Sequence, residues 1–261
     1  MTESMADEAS LAGRTVVVTG SGRGLGFDMA RRFGLAGASV VIAEIDSQAG
    51  EAAAERLRAQ NMDAAFRQLD VALPEESARL VETIVEERGA IDVWVNNAGV
   101  ARKGPAETLP IHDWDASISV MLSGAYYCCR ATGAAMLAKG RGVIVNVASV
   151  NGYQAVEGRV AYCTAKAGLI MLTQSLGVEW ASRGVRVVGV APGVVLTDMV
   201  KRGIKEGTAK IETYHRRTPM RRLGSEQEIS EAVFYLASDE ASSIVGETMR
   251  VDGGWGAYSY F

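Results

Sequence analysis

The sequence predicts a doubly wound α/β fold, a seven-stranded parallel sheet with helices on both faces, built as one domain. Three observations lead there. Short runs rich in Val and Ile alternate along the chain with longer stretches of helical spacing. Those runs are almost continuously apolar rather than alternating, the pattern of strands buried on both faces beneath covering helices. A glycine-rich turn joins the first such run to the first helical stretch.

Taken in order, RTVVVT at 14–19 is the first strand, GSGRGLG the turn, and DMARRFGLAG a helix ending on a Gly stop. ASVVIAE at 38–44 begins the cycle again and leads into SQAGEAAAERLRAQN, whose Ala, Glu and Arg favour helix. The strands that follow are AAFRQL, IDVWVNN, GVIVNVAS, VRVVGVAPG and ETMRV. Between them lie the helical patterns EESARLVETIVEERG, AYCTAKAGLIMLTQSLGVEWASRG and SEQEISEAVFYLAS. Residues 196–224 show no clear strand or helix pattern. They follow the carboxyl end of a strand, where open parallel sheets bind ligands, so they are expected to form a substrate loop or lid. The first ten residues, MTESMADEAS, read as a flexible tail and 11–261 as the single domain.

Composition narrows the classes of function. The 261 residues are 48% apolar with only 5 Pro, enough for one sizeable core. A formal charge of -4 leaves no basic footprint for nucleic acid or an anionic membrane, which points to a small-molecule partner. No apolar run approaches the roughly 20 residues that span a bilayer, and the polar, acidic start lacks the features of a secretory signal. Three cysteines, Cys128, Cys129 and Cys163, fit a reduced, cytoplasmic setting. Neither they nor His112 and His215 have metal-ligand spacing, so no metal is expected.

The glycine turn carries the first chemistry. Gly20, Gly24 and Gly26, with Ser21, Arg23 and Leu25 between them, lie after the first strand and at the mouth of the first helix. Glycines there permit a tight turn and close backbone approach to a pyrophosphate, which the helix N-terminus then favours. A dinucleotide cofactor is therefore expected. Glu44 closes the second strand beside Ile45, placed to accept hydrogen bonds from the adenosine ribose and to repel a 2′-phosphate. This favours NAD, with NADP the alternative because Arg23 can meet that phosphate.

TGSGRGLG at 19–26, NNAG at 96–99, Ser149, YCTAK at 162–166 and PGVVLT at 192–197 stand in order on these elements. Together they resemble the short-chain dehydrogenase/reductase family, over about residues 11 to 256. The resemblance implies a Rossmann-like sheet, a homotetramer, and an NAD(P)-dependent alcohol dehydrogenase or ketone reductase. It also places Asp70 and Val71 beside the adenine, and Asn97, Ala98 and Gly99 along the cofactor. Pro192, Gly193, Val195 and Thr197 fall near its carboxamide, and Asn146 has a structural role tying neighbouring strands.

Chemistry supports the same residues. Tyr162 and Lys166 are four apart on a helix and share a face. To act as a base near neutrality, a tyrosine phenolate needs about 3 to 4 kcal/mol of stabilisation. One ammonium at about 4 Å supplies about 4 kcal/mol at an effective dielectric of about 20. Lys166 is thus expected to lower the Tyr162 pKa and, by the resemblance, to hold the nicotinamide ribose. Ser149, at a strand's carboxyl end, is expected to bind the substrate oxygen. Asn151, Tyr153 and Gln154 follow it and are expected to line the substrate cleft together with Ser149 and Tyr162.

Two alternatives remain open. One is a 3-oxoacyl-thioester reductase using NADPH, docking an acidic carrier protein on Lys139, Arg141, Arg216, Arg217, Arg221 and Arg222. The other is a cofactor-binding protein with impaired turnover. Its support is Met121, which stands where the family usually carries an asparagine thought to hold a helix distortion whose backbone carbonyl binds a water in the proton relay. Methionine cannot make an amide's hydrogen bonds, yet its own backbone carbonyl remains. Arg102 and Lys103 read as exposed loop charges, and the aromatic end WGAYSYF as packing against another subunit.

Overall fold

A computed structural model describes residues 11–205 and 211–259. The proposed tail at 1–10 and the last aromatic residues, Tyr260 and Phe261, lie outside the described residues.

Seven strands form one parallel sheet: β1 (Thr15–Thr19), β2 (Ser39–Glu44), β3 (Ala64–Gln68), β4 (Val93–Asn96), β5 (Gly142–Val147), β6 (Val185–Pro192) and β7 (Thr248–Val251). Their order across the sheet is β3-β2-β1-β4-β5-β6-β7. Val17 sits beside Val41 on one side and Trp94 on the other, so the central strands run in register with their carboxyl ends at one edge.

The helices are α1 (Gly24–Leu35), α2 (Ser47–Arg58), α3 (Pro74–Arg88), α4 (Ile111–Ile118), α5 (Gly124–Lys139), α6 (Val160–Trp180), α7 (Asp198–Lys205), α8 (Ile211–Arg217) and α9 (Glu226–Ala237). Local sequence sets many of their ends. Asp46 caps α2 by accepting from the Gln48 and Ala49 amides, and Pro74 opens α3, which stops at a left-handed Gly89. Ser225 and Glu228 close a reciprocal capping box at the start of α9.

The period of two along each strand divides the core between the two faces of the sheet. Val16, Val18, Val40 and Ile42 pack with Phe33 of α1, Leu57 of α2 and Leu236 of α9. Val17, Val41, Trp94 and Ile144 pack instead with Leu80 of α3, Met136 of α5 and Trp180 of α6. This is the predicted doubly wound arrangement, with every predicted strand present and shifted by no more than two residues at its ends.

One segment departs from expectation. Within 196–224, where the sequence pattern shows no clear strand or helix, the described residues include α7 and α8. Both helices are short, and Gly203 interrupts the first, so neither shows a long apolar stripe. No helix among the described residues is long and apolar enough to cross a membrane.

Gly177 shows how tightly α6 lies on the sheet. A Cβ placed there would stand 2.7 Å from the Gly246 backbone and 3.1 Å from the Val187 carbonyl. Alanine is the better helix former by about 1 kcal/mol, but this contact leaves it no room. Gly177→Ala is expected to lower unfolding free energy by about 1–3 kcal/mol in a denaturant titration, while unchanged stability would show that α6 can shift.

Candidate functional site

The predicted site residues converge on the carboxyl edge of the sheet. Chain winding reverses between β1 and β4, and no helix crosses the gap there. Thr19 ends β1, and its Oγ1 accepts from the Asn97 and Ala98 amides at 3.0 and 3.1 Å while donating to the Val95 carbonyl at 3.3 Å. Asn97 Nδ2 returns hydrogen bonds to the Thr19 and Gly20 carbonyls at 2.9 and 3.0 Å. The Asn97 side chain, expected along the cofactor, is therefore a brace between strands.

Gly20 takes φ 63°, and a Cβ there would lie 2.8 Å from Ala98 Cα. A Cβ at Gly26 would lie 2.3 Å from the Gly20 carbonyl, so only glycine lets α1 start this close to the turn. Ser21 is buried, with its hydroxyl donating to the Val18 carbonyl at 2.6 Å, and shapes the turn from within. Gly24 has φ 57° and only the Glu226 carboxylate near its missing Cβ, at 3.7 Å. Arg23, the residue before α1, is exposed. An open cradle at a helix N-terminus, closed behind by glycine contacts, suits a dinucleotide pyrophosphate.

Glu44 folds against this turn. Its carboxylate accepts from the Gly22 amide at 3.0 Å and from the Ile45 and Asp46 amides at 3.0 and 3.3 Å. A negative charge is thereby fixed beside the glycine turn. Ile45 is exposed, as an apolar rim would be, and Asp70 accepts from the Ala72 amide while its own amide donates to Glu76. Val71 lies under Gly124, where its carbonyl would stand 2.8 Å from an added Cβ. Glu76 was not foreseen, and nothing in its helical stretch distinguishes it from its neighbours.

Ser149, Tyr162 and Lys166 stand together. Ser149 follows β5, and its Oγ accepts from the Asn151 amide at 3.1 Å and shares a hydrogen bond with the Tyr162 hydroxyl. Lys166 is buried, and its Nζ donates to the Val147 carbonyl at 2.7 Å. Burial pushes the lysine down to about 8. The same desolvation raises Tyr162, opposed by its bond to Ser149 and by the charge of Arg159. The Lys166 ammonium is drawn to the Val147 carbonyl and lies 5.8 Å from the Tyr162 ring centroid, and burial dominates the tyrosine.

Met121 falls inside a π-helical turn, Ser119–Ser123, between α4 and α5. The Gly124 amide donates to the Ser119 carbonyl, closing the wide turn, and Gly124 packs so closely on the Val71 carbonyl that no larger residue fits. The distortion thus exists without an asparagine. Met121 is 1% exposed and lines a small cavity with Thr19, Asn96 and Leu169, filling apolar space. Beneath it, Asn96 donates to Asn146, and Asn146 to Thr173, in a buried chain that gives Asn146 its predicted strand-tying role.

The residues expected to line a substrate cleft lie around Ser149 and the end of the chain. Asn151 lies in the 3-10 turn after Ser149. Tyr153 turns its hydroxyl to the Thr248 carbonyl of β7 at 3.2 Å, so it can present only its ring to a ligand. Gln154 donates to the Gly256 carbonyl and accepts from Arg217 of α8, which also donates to the Tyr258 carbonyl and lies over the Trp255 ring. Of the C-terminal aromatics, Trp255 meets Arg217 through its ring, while Tyr258 meets it through its backbone carbonyl and keeps an exposed side chain. Pro192 and Gly193 end β6, and Val195 pairs with Gly224, pinning both ends of the 196–223 excursion. Thr197 Oγ1 accepts from the Val200 amide at 3.4 Å. Arg102 pairs with Asp113 at 3.2 Å and stays half exposed.

Because the π turn rests on Gly124 rather than on residue 121, Met121→Asn is expected to leave kcat within about twofold and the pH-rate profile in place. Its amide in an apolar slot should cost about 1–3 kcal/mol of stability. A large gain in rate would show that the parent relay is impaired. Lys166 also gives a pH signature. The unfolded chain keeps its proton to 10.5 and the folded one only to about 8, so its contribution to stability rises with pH between those values. Relative to Lys166→Met, the parent should gain about 3 kcal/mol over that window in paired unfolding curves, and parallel curves would refute the lowered lysine.

Comparison with known proteins agrees with this geometry. A family profile described as enoyl-(acyl carrier protein) reductase matches residues 20–256. D-threitol dehydrogenase of Mycolicibacterium smegmatis is 35% identical over 94% of either chain. The 3-oxoacyl-[acyl-carrier-protein] reductase of Chlamydia trachomatis is 36% identical over 94% of this chain and 98% of its own. The solved structure of a putative NAD(P)-dependent gluconate 5-dehydrogenase from Beutenbergia cavernae, with NADP bound at low occupancy, superposes with a TM-score of 0.89 at 35% identity, covering 97% of this chain and 100% of that one. With its strand order, its glycine cradle and its Ser149, Tyr162 and Lys166 cluster, the chain belongs to the short-chain dehydrogenase/reductase family of oxidoreductases.

Proposed function

We propose that the protein transfers a hydride between NAD(H) and a small secondary alcohol or its ketone. The observation that carries this reading is the placement of Ser149, Tyr162 and Lys166 at the same sheet edge as the glycine cradle. A nicotinamide held there supplies the hydride acceptor in oxidation and the donor in reduction. Gly20, Gly24 and Gly26 would hold its pyrophosphate, Glu44 its adenosine ribose, and Lys166 the second ribose through ammonium protons other than the one bound to Val147. Ser149 then holds the substrate oxygen. Tyr162 takes the alcohol proton during oxidation and returns one to the carbonyl oxygen during reduction.

Several observations support a small substrate over a docked carrier protein. Of the basic residues suggested for docking, Arg141 pairs with Asp92 and Arg222 with Glu228, while Arg217 and Arg221 bond to backbone carbonyls of their own protomer. The threitol and gluconate enzymes among its relatives bear names of small polyhydroxylated substrates, which extends the reading to alcohols carrying further hydroxyls. For the cofactor, the anchored Glu44 carboxylate supports NAD by repelling a 2′-phosphate.

An assay of the purified protein with NAD and NADP against secondary alcohols, polyols, cyclic ketones and acyl thioesters tests the proposal. Turnover with an alcohol or ketone is expected, and turnover confined to acyl thioesters would favour the carrier-protein reductase instead. Tyr162→Phe should keep cofactor binding and lose about a hundredfold or more in kcat, since general acid–base catalysis contributes at least about that much. Glu44→Ala should shift kcat/KM toward NADP by about tenfold or more, the effect of removing about 1.4 kcal/mol of discrimination. An unchanged cofactor ratio would remove Glu44 from that role.

A further inference from the structure

A second cation stands beside Tyr162. Lys166 follows the tyrosine by four residues on α6, and Arg159 stands at the N-terminal boundary of that helix, three residues before the tyrosine. The Arg159 guanidinium carbon is 5.9 Å from the Tyr162 ring centroid and the Lys166 Nζ 5.8 Å. These near-equal neighbours differ in chemistry. The lysine is bound to a carbonyl and brought to about 8 by burial, so its charge fades in mildly alkaline solution. A guanidinium keeps its charge throughout.

Arg159 has no evident structural task. It stands at the N-terminal boundary of α6 without forming a side-chain cap, and its contact is the face of the Tyr162 ring. Among the described residues, the groups that act on the phenol or lie near its ring are the Ser149 hydroxyl from the end of β5, Arg159 from the boundary of α6, and Cys163 and Lys166 from α6. Against burial and Cys163, both of which raise the tyrosine, Arg159 acts to lower it.

We propose that Arg159 is a positioning residue for Tyr162, its permanent charge stabilising the phenolate that takes the substrate's proton. The proposal rests on Tyr162 being the base, and it predicts that the electrostatic work at this site is shared between two cations.

The test is a titration of the full chain labelled with ¹³Cζ-tyrosine, followed by NMR with and without NAD. The Tyr162 signal is identified by its loss in Tyr162→Phe. In Arg159→Gln the Tyr162 midpoint should move to higher pH, and Arg159→Lys should bring it back toward the parent. On a secondary alcohol the Gln variant should lose about tenfold in kcat/KM at pH 7, recovering as the pH rises, with the KM for NAD unchanged. An unmoved Tyr162 midpoint in Arg159→Gln overturns the proposal. So does a Gln variant whose only defect is a raised KM for carboxylate-bearing substrates, because Arg159 would then be a substrate contact. The phenol titration needs no substrate, so absence of turnover would count against the dehydrogenase reading without touching this one.

Discussion

Everything at the candidate site depends on two side chains that tie β1 to β4. Where the winding reverses, the helices leave to opposite faces and the crevice between the two strand ends has no cover. Thr19 and Asn97 bridge it with hydrogen bonds running in both directions, among them bonds to the Thr19 and Gly20 carbonyls. The glycine turn is thereby fixed to the neighbouring strand as well as its own. A rigid cradle requires this, because a turn anchored at one end only would add its ordering cost to every binding event.

The electrostatics follow from burial. Lys166 is held in a place that disfavours its own charge, and Tyr162 in one that disfavours its ionised form. A pair that is costly to ionise in the free protein is poised to respond to whatever charge enters the site. Structural polar groups nearby meet the same low dielectric differently: Asn96, Asn146 and Thr173 satisfy one another, while Cys128 and Cys129 remain as thiols, the first pushed up to about 12 and the second higher still. Those cysteines are inert packing, as their position between strands and helix requires.

How much of this was legible in the sequence varies with the physics behind each feature. The strands read clearly because burial on both faces leaves runs such as VVVT and VVIA that no other environment selects. The glycine turn read clearly because its steric demands admit no substitute. The helices α7 and α8 did not, since segments of eight and seven residues present too few turns for a periodic stripe. Asn97 and Tyr153 have side chains whose hydrogen bonds face other parts of the fold, a choice that position in the sequence alone does not decide. Arg159 carries no such signal, because it lies at the boundary of α6, outside the helical spacing that links Tyr162 to Lys166. The π turn holds a further lesson, for its wide geometry is enforced by the close approach of Gly124 to Val71 and not by the residue whose absence first drew notice.

The pairing of Val195 with Gly224 closes the 196–223 excursion at its root. Its two ends are already brought together by the strand end from which it grows. Doubling the length of such a segment costs only about 0.6 kcal/mol in closure entropy, so the sheet beneath hardly feels what is inserted. The molecule is in this sense modular: the sheet edge and its glycine turn are locked by backbone contacts, and the segment rooted at Val195 and Gly224 can be exchanged whole. Divergence of substrate choice among proteins that keep one sheet and one glycine cradle then requires no change to either.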